Sequence, residues 1–198
     1  MAIIEFFGME RAGKSTQIRL LIAELTHVKL SFALHKRPPI NFKEGYNLEY
    51  FHSKYYESIF DAFQRYHTED SGVLIFDRGL YDRLVLLHLD YKNGEVSKKF
   101  KEDLSRNIED HLNLIDHPIM FLIPPKISLE RWPLQIIENR DNLRLIEELD
   151  TIENRLDMHY LFNGYNVLKE RYPNITEIDG TRAREDIHKD ILSIFNIV

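Results

Sequence analysis

The stretch Gly8-Met9-Glu10-Arg11-Ala12-Gly13-Lys14-Ser15 fits the phosphate-binding pattern G-x-x-x-x-G-K-[ST] at every fixed position. Residues 2–7 before it are mostly apolar and are typical of a short strand, while residues 16–25 after it have the composition of a helix. A strand, a glycine-bounded turn and a helix, in that order, are the context in which this pattern binds phosphate. The alternative, a strand-to-helix turn with an incidental lysine, would require all four fixed residues to coincide by chance.

The chemistry of such a loop follows from its backbone. Glycines at both ends, Gly8 and Gly13, let the chain curve around an anion, so that successive N–H groups and the positive end of the next helix point at a polyphosphate. Lys14 adds a mobile charge for the β- and γ-phosphates, and Ser15 offers a hydroxyl ligand to Mg²⁺. The predicted ATP-binding residues in this segment are Gly8, Ala12, Gly13, Lys14, Ser15 and Thr16.

Composition predicts an ordinary soluble domain. The 198 residues are 43% hydrophobic and 29% charged, which suits one α/β domain spanning 1–198. A net charge of −6 disfavours a nucleic acid polymer as partner, and without cysteine there is neither a disulfide nor a thiol nucleophile. No apolar run is long enough to span a membrane and no signal peptide is recognisable, so we expect a cytoplasmic protein.

Hydrophobic patterns along the chain alternate between strands and helices. Predicted strands cover 2–7, 29–35, 73–76, 118–123 and 175–178, and predicted helices cover 16–25, 48–66, 81–90, 96–115, 127–132, 145–171 and 185–195. We expect Pro133 to disturb the helix that precedes it. This alternation predicts a doubly wound, five-stranded parallel sheet flanked by helices, and together with the phosphate-binding loop it predicts a P-loop NTPase fold. The polar stretch at about 133–144 is predicted to form a short lid.

Asp77 and Arg78 follow the apolar strand predicted at 73–76. Open α/β sheets bind ligands at the carboxyl ends of their strands. Asp77 is therefore a candidate catalytic carboxylate that holds Mg²⁺ or its waters across from Ser15, and Arg78 a candidate phosphate clamp. The alternative for Asp77 is a cap for the next helix.

Several stretches together resemble the thymidylate kinases, a family of P-loop nucleoside and nucleotide kinases. The loop resembles the branch of that family that carries an arginine inside the loop, here Arg11. Further matches occur in the expected order, at 37–39, Phe51, 77–78, 123–131 and 178–182, so that the resemblance spans nearly the whole chain.

The resemblance implies that Mg²⁺ and ATP bind, and that the γ-phosphoryl group moves to a nucleoside monophosphate. Charge that spreads over the transferring phosphoryl group must be met by fixed cations. By analogy Arg11 is an internal arginine finger and Lys14 follows the phosphoryl group. Arg131 and Arg182 would flank the donor adenine. The resemblance also implies a homodimer formed through the long helices after the second and third strands.

The acceptor half of the site is also implied by analogy. Arg37 and Arg78 would grip the acceptor phosphate, Glu10 would face the acceptor sugar, and Phe51 would stack on the acceptor base. Phe51 has an alternative role in core packing, since phenylalanine is commonly buried.

The chain departs from the thymidylate kinases at its acceptor half. With Phe51 aligned, Tyr55 stands where that family carries an arginine, and a neutral phenol cannot replace the charge. Asp82 and Arg83 place a charge pair where thymidylate kinases hold thymine. These residues keep open a P-loop kinase acting on a nucleoside or another small hydroxyl acceptor. A nucleotide-dependent switch is disfavoured because the guanine-recognition motif N-K-x-D is missing.

The predicted lid holds two arginines, Arg140 and Arg144. Either could clamp the transition state, but the arginine in the loop makes a second finger less necessary. Solvated surface arginines are the alternative for both.

Overall fold

Five short strands form one parallel sheet in the computed structural model, which describes residues 2–36, 47–66, 72–138 and 152–195. The strands are β1 (Ala2–Gly8), β2 (Phe32–Lys36), β3 (Val73–Asp77), β4 (His117–Leu122) and β5 (Thr176–Asp179). Their order across the sheet is β2-β3-β1-β4-β5, and every neighbouring pair is parallel. The α/β prediction with a five-stranded parallel sheet is therefore confirmed.

The central strand β1 is the most deeply buried of the five. Residues 3–8 are all buried, as expected for a strand covered on both faces by helices. Its neighbours place Phe6 beside Asp77 of β3 and Gly8 beside Phe121 of β4. These registers bring the carboxyl ends of three strands to the edge where the phosphate-binding loop begins.

Seven α-helices are described and surround the sheet. They are α1 (Lys14–His27), α2 (Leu48–Tyr66), α3 (Leu80–Lys92), α4 (Lys98–Glu109), α5 (Pro125–Glu138), α6 (Ile152–Arg171) and α7 (Arg184–Ile194). Helix α1 packs against α7, and α3 packs against both α4 and α6. Buried apolar side chains of strands and helices form one continuous core between these layers. None of the described helices is both long and apolar enough to cross a membrane.

Most predicted element bounds agree with the structure to within two or three residues. The first part of the helix predicted over 145–171 lies outside the described residues, and β2, α4 and α5 differ from their predicted bounds for local reasons. Strand β2 begins at Phe32 rather than at residue 29, because Lys29 takes a left-handed conformation with φ of 56° after the end of α1. The helix predicted over 96–115 is shorter, since the Ser97 side chain caps α4 by accepting from the Phe100 N–H, at 3.2 Å. A separate 3₁₀ turn follows at Leu112–Leu114.

The prediction that Pro133 disturbs its helix was wrong, because α5 continues to Glu138. A proline removes one backbone hydrogen bond, and neighbouring packing can offset that loss. Here α5 packs against α6, and Ser128, which is part of α5, is fully buried. Residues 133–138 of the predicted lid thus belong to α5, while its remainder, with Arg140 and Arg144, lies outside the described residues.

Gly8 marks the end of β1, and the structure leaves no room there for a side chain. Its φ is +111°, and a Cβ atom would lie 2.2 Å from the carbonyl oxygen of Phe121. Gly94 also has a positive φ, of +75°, but nothing lies within 4 Å of its would-be Cβ atom. Both positions have a positive φ, but a Cβ atom would clash with a neighbour only at Gly8.

We expect Gly8→Ala to lower the free energy of unfolding by roughly 3 kcal/mol or more, since strain and a backbone clash add. Gly94→Ala should cost about 1 kcal/mol, from backbone strain alone. Urea unfolding followed by circular dichroism measures both. Equal losses in the two variants would contradict the close approach of β1 to β4.

Candidate functional site

The loop between β1 and α1 is built from left-handed backbone conformations. Gly8, Arg11 and Gly13 have φ of 111°, 58° and 95°. The loop is anchored to the sheet where the Met9 N–H donates to the Phe121 carbonyl, at 2.9 Å. Helix α1 then starts at Lys14, directly after Gly13. The predicted strand, loop and helix are therefore confirmed. In phosphate-binding loops this order of elements gathers backbone N–H groups for an anion.

Lys14 is buried and folds back over its own loop. Its Nζ donates to the carbonyl of Gly8, at 3.0 Å, and to that of Met9. Burial, with a smaller contribution from the charge of Arg78, lowers the pKa of Lys14 to about 7. The ammonium group thus lies at the start of the loop, where an arriving phosphate would favour its charged form.

The outer side of the loop is held by residues that lie far along the chain. Ser128 Oγ donates to the Glu10 carbonyl at 2.9 Å. Arg131 Nη1 donates to the carbonyls of Arg11, at 3.1 Å, and Gly180, at 3.0 Å. Sequence reasoning missed Ser128, because a serine inside a helix carries no signal of its target.

Asp77 and Arg78 turn the chain away from β3. Asp77 is half-buried at the carboxyl end of the strand, as predicted. Arg78 is left-handed, with φ of 67°, and its N–H donates to the Phe6 carbonyl at 2.9 Å. Its own carbonyl accepts a hydrogen bond from the Tyr55 hydroxyl. Tyr55, which stands where thymidylate kinases carry an arginine, therefore fixes the backbone of this turn.

The Arg78 guanidinium lies between two carboxylates. Nη1 donates to both oxygens of Asp82, at 3.1 and 2.9 Å, and Nη2 donates to Glu10 Oε1 at 2.6 Å. Burial would lower the pKa of Arg78, but the charges of Asp82 and Glu10 hold it well above its ordinary value. Burial would likewise raise the pKa of Asp82, yet Arg78 and then Arg83 lower it to about 2. Arg78 and Asp82 are therefore both ionised near neutral pH.

Asp82 joins this cluster to two further elements. The hydroxyl of Tyr165 on α6 donates to Asp82 Oδ1 at 2.7 Å, and the Gly8 N–H approaches the same oxygen at 3.5 Å. The expected pair with Arg83 is present but longer, at 3.8 Å between Arg83 Nη2 and Asp82 Oδ2. One buried carboxylate thus links β1, α3 and α6.

An aromatic wall borders the cluster on the side of α2. The rings of Phe51 and Tyr55 are stacked with centroids 6.1 Å apart, and Arg83 Cζ lies 4.8 Å from the Tyr55 centroid. His52 Nδ1 lies 3.4 Å from Arg83 Nη1, and its Nε2 lies 2.7 Å from Asp90 Oδ2. Phe51 is 8% exposed, so packing occupies most of its surface. Its predicted stacking on an acceptor base stays a prediction.

Glu5 is a buried acid that sequence reasoning did not use. Its carboxylate accepts from the N–H groups of Gly79, at 2.9 Å, Tyr81, at 3.1 Å, and Asp82, at 3.0 Å. It thereby caps the start of α3 and fixes the turn after Arg78. Burial raises the pKa of Glu5 to about 7, against the lowering effect of these N–H groups. The sequence did offer one signal for this role, because Glu5 is an acidic residue within an otherwise apolar strand.

The remaining predicted residues fall into different settings. Arg11 is half-buried in the loop, where burial lowers its pKa to about 10. Ser15 is exposed in the first turn of α1, beside Thr16. Arg182 is paired with Asp190, with Nη1 and Oδ2 2.5 Å apart, and so is oriented toward α7. Arg37 lies outside the described residues.

A cluster of acids or histidines able to hold a metal ion by itself does not occur in the described part of the chain. A hydroxyl at Ser15 and a carboxylate at Asp77 instead suit Mg²⁺, which binds few protein oxygens and takes other ligands from phosphates and water.

Solved structures that share this architecture include two of deoxyadenosine kinase from M. mycoides. One, with bound dATP, has a TM-score of 0.67 and 17% sequence identity, and the match covers 98% of this chain and 99% of that one. The other, with the products dCMP and a flexible dCDP bound, has a TM-score of 0.63 at 17% identity and covers 98% of each chain. No protein-family model matches the sequence. The chain therefore has the fold of P-loop kinases, over nearly its whole length.

The pKa of Glu5 makes stability depend on pH. Because the folded value of about 7 exceeds the ordinary 4.5, the folded state binds the proton more tightly than the unfolded state. The carboxyl's contribution is complete below pH 4.5 and is lost as the pH rises to 7.

We expect the stability of the wild type relative to Glu5→Gln to fall by about 3 kcal/mol between pH 4.5 and pH 7, and to stay level above pH 8. The glutamine variant is the matched control, because it keeps the shape and cannot titrate. Urea unfolding of both proteins across this range measures the difference. A difference that does not vary with pH would contradict the assignment.

Proposed function

We propose that this protein is an ATP-dependent kinase that transfers the γ-phosphoryl group of ATP to a hydroxyl group of a nucleoside. The observation that carries the proposal is the engagement of Arg78 by Asp82 and Glu10. Arg78 is one of the two arginines that sequence analysis assigned to an acceptor phosphate; the other, Arg37, lies outside the described residues. The two terminal nitrogens of Arg78 already hold carboxylates.

A phosphorylated acceptor would have to share Arg78 with these two carboxylates, against their negative charge, or displace them. Hydrogen bonds between ionised groups are about twice as strong as neutral ones, and removing one member of a buried ion pair is costly. An acceptor without a phosphate leaves Arg78 and its two carboxylates undisturbed. Tyr55 carries no charge, and its hydroxyl donates a hydrogen bond to the Arg78 carbonyl. The pairing of Arg78 with Asp82 and Glu10 therefore favours an acceptor that carries no phosphate.

The similarity in fold gives independent support. Two of the solved structures that match nearly the whole chain are of an enzyme named for a nucleoside, deoxyadenosine. At 17% identity the likeness concerns the fold. The likeness in fold agrees with the charge argument, but it does not identify the base of this protein's acceptor.

The donor half supplies the chemistry that a phosphoryl transfer needs. The acceptor oxygen bonds to the γ-phosphorus, the bond to the ADP oxygen breaks, and the acceptor proton passes to a base. Lys14 and Arg11 are the cations of the loop, while Asp77 is the carboxylate available as base or metal ligand. Bound Mg²⁺, held by Ser15 and Asp77, would neutralise charge on the β- and γ-phosphates.

A nucleoside monophosphate kinase of the thymidylate kinase type is the second candidate. It is favoured by Arg11, since an arginine inside the loop resembles one branch of that family. In that case Arg78 exchanges its carboxylates for the acceptor phosphate when the acceptor binds. The two candidates differ in which acceptor yields product.

We expect incubation with ATP and Mg²⁺ to give monophosphates from one or more of the four deoxynucleosides, and little or no diphosphate from their monophosphates. Chromatography of the nucleotides measures both. Lys14→Ala should form no product and so controls for contaminating kinases. Diphosphates alone would establish the second candidate, and ADP release that no acceptor changes would remove both.

A further inference from the structure

We infer that Arg131 is a positioning residue for the phosphate-binding loop. Together with Ser128 it holds two successive carbonyl groups of the loop, and thereby aims the N–H groups of Arg11 and Ala12 at the donor's phosphates. The inference deepens the donor half of the proposed function. It assigns to Arg131 a role other than the adenine contact that the resemblance implied.

The contacts come from one side of the loop. Ser128 and Arg131 are three residues apart on α5 and therefore share a face of that helix. Ser128 Oγ donates to the Glu10 carbonyl at 2.9 Å, and Arg131 Nη1 donates to the next carbonyl, that of Arg11, at 3.1 Å. Ser128 is fully buried and Arg131 is half-buried.

Because the peptide group is planar, holding the carbonyl groups also fixes the directions of the N–H groups that follow them. In a trans peptide the carbonyl of one residue and the N–H of the next point in opposite directions. When α5 holds the carbonyls of Glu10 and Arg11, the N–H groups of Arg11 and Ala12 must point away from α5. They face the side of the loop that α5 leaves open, where an anion can reach them.

The backbone of Arg11 needs such support. Its φ of 58° is a left-handed conformation that a residue with a Cβ atom adopts at a cost. A charge-assisted hydrogen bond from Arg131 to its carbonyl favours this conformation over the alternatives.

Arg131 also fixes the loop against the end of β5. The same Nη1 donates to the Gly180 carbonyl at 3.0 Å. Gly180 lies so close to the loop that a Cβ atom there would be 2.6 Å from the Ala12 carbonyl oxygen. The guanidinium thus joins two backbone segments that are already in close contact.

The two roles for Arg131 differ in what they do to the base and the phosphates. A residue that stacks on adenine strengthens the binding of ATP but not that of a polyphosphate without a base. A residue that aims the loop matters to both by the same factor. Inorganic tripolyphosphate is therefore the diagnostic probe.

The experiment measures, with Mg²⁺ and no acceptor, the dissociation constant of ATP by calorimetry and that of tripolyphosphate by its competition with ATP. We expect Arg131→Ala to weaken both roughly tenfold. Ser128→Ala, which removes no charge, should weaken both by the same factor as each other, roughly fivefold. Arg131→Lys should recover part of the loss, since an ammonium group can also donate to two carbonyls.

Lys126→Ala is the matched control. It removes one cation from the same helix, where its side chain is 86% exposed, and should change neither constant. If Arg131→Ala does not fold, Ser128→Ala and Arg131→Lys carry the test. Weakening confined to ATP, unchanged binding in Ser128→Ala, or a wild type from which tripolyphosphate cannot displace ATP would overturn the inference. Because no acceptor is present, the outcome does not depend on whether a nucleoside is the substrate.

Discussion

The ion cluster of Arg78 with Asp82 and Glu10 joins the two halves of the site. Glu10 belongs to the phosphate-binding loop, Arg78 to the turn after β3, and Asp82 to the first turn of α3. Tyr165 extends the cluster to α6. Arg78 and Asp82 are buried, and buried ions must be paired if the fold is to tolerate them, so the turn after β3 and the first turn of α3 must keep this pair together. The same constraint keeps the Arg78 guanidinium bound to two carboxylates.

Around this cluster the backbone is held in unusual conformations by neighbours on other elements. Arg78 and Arg11 both have positive φ, and each has its carbonyl held by a hydrogen bond, from Tyr55 and Arg131 respectively. Glu5 holds the N–H groups of the next turn. Strained backbone persists only where the surroundings determine it in this way. This frame holds donors and charges in fixed directions, as the proposed phosphoryl transfer would require.

The sequence allowed the sheet and the loop to be predicted because both are local patterns. An apolar run ends at Asp77, and the glycine and lysine spacing is contained within eight residues. The partners of Arg78 could not be predicted in the same way: Glu10 lies 68 positions away and meets it only through the register of β1 with β3. Arg131 was assigned to adenine by analogy, while its observed partners are backbone carbonyls, which leave no trace in a sequence.

The central claim is that Arg78 keeps its carboxylates and the acceptor brings no phosphate. Calorimetric dissociation constants for deoxynucleosides and for their 5′-monophosphates, in the wild type and in Glu10→Gln, test it without requiring turnover. The account predicts that the wild type binds at least one nucleoside as tightly as its monophosphate. It also predicts that Glu10→Gln, by releasing one side of Arg78, strengthens monophosphate binding relative to the nucleoside. A wild type that binds every monophosphate tenfold or more tightly than its nucleoside would contradict the account.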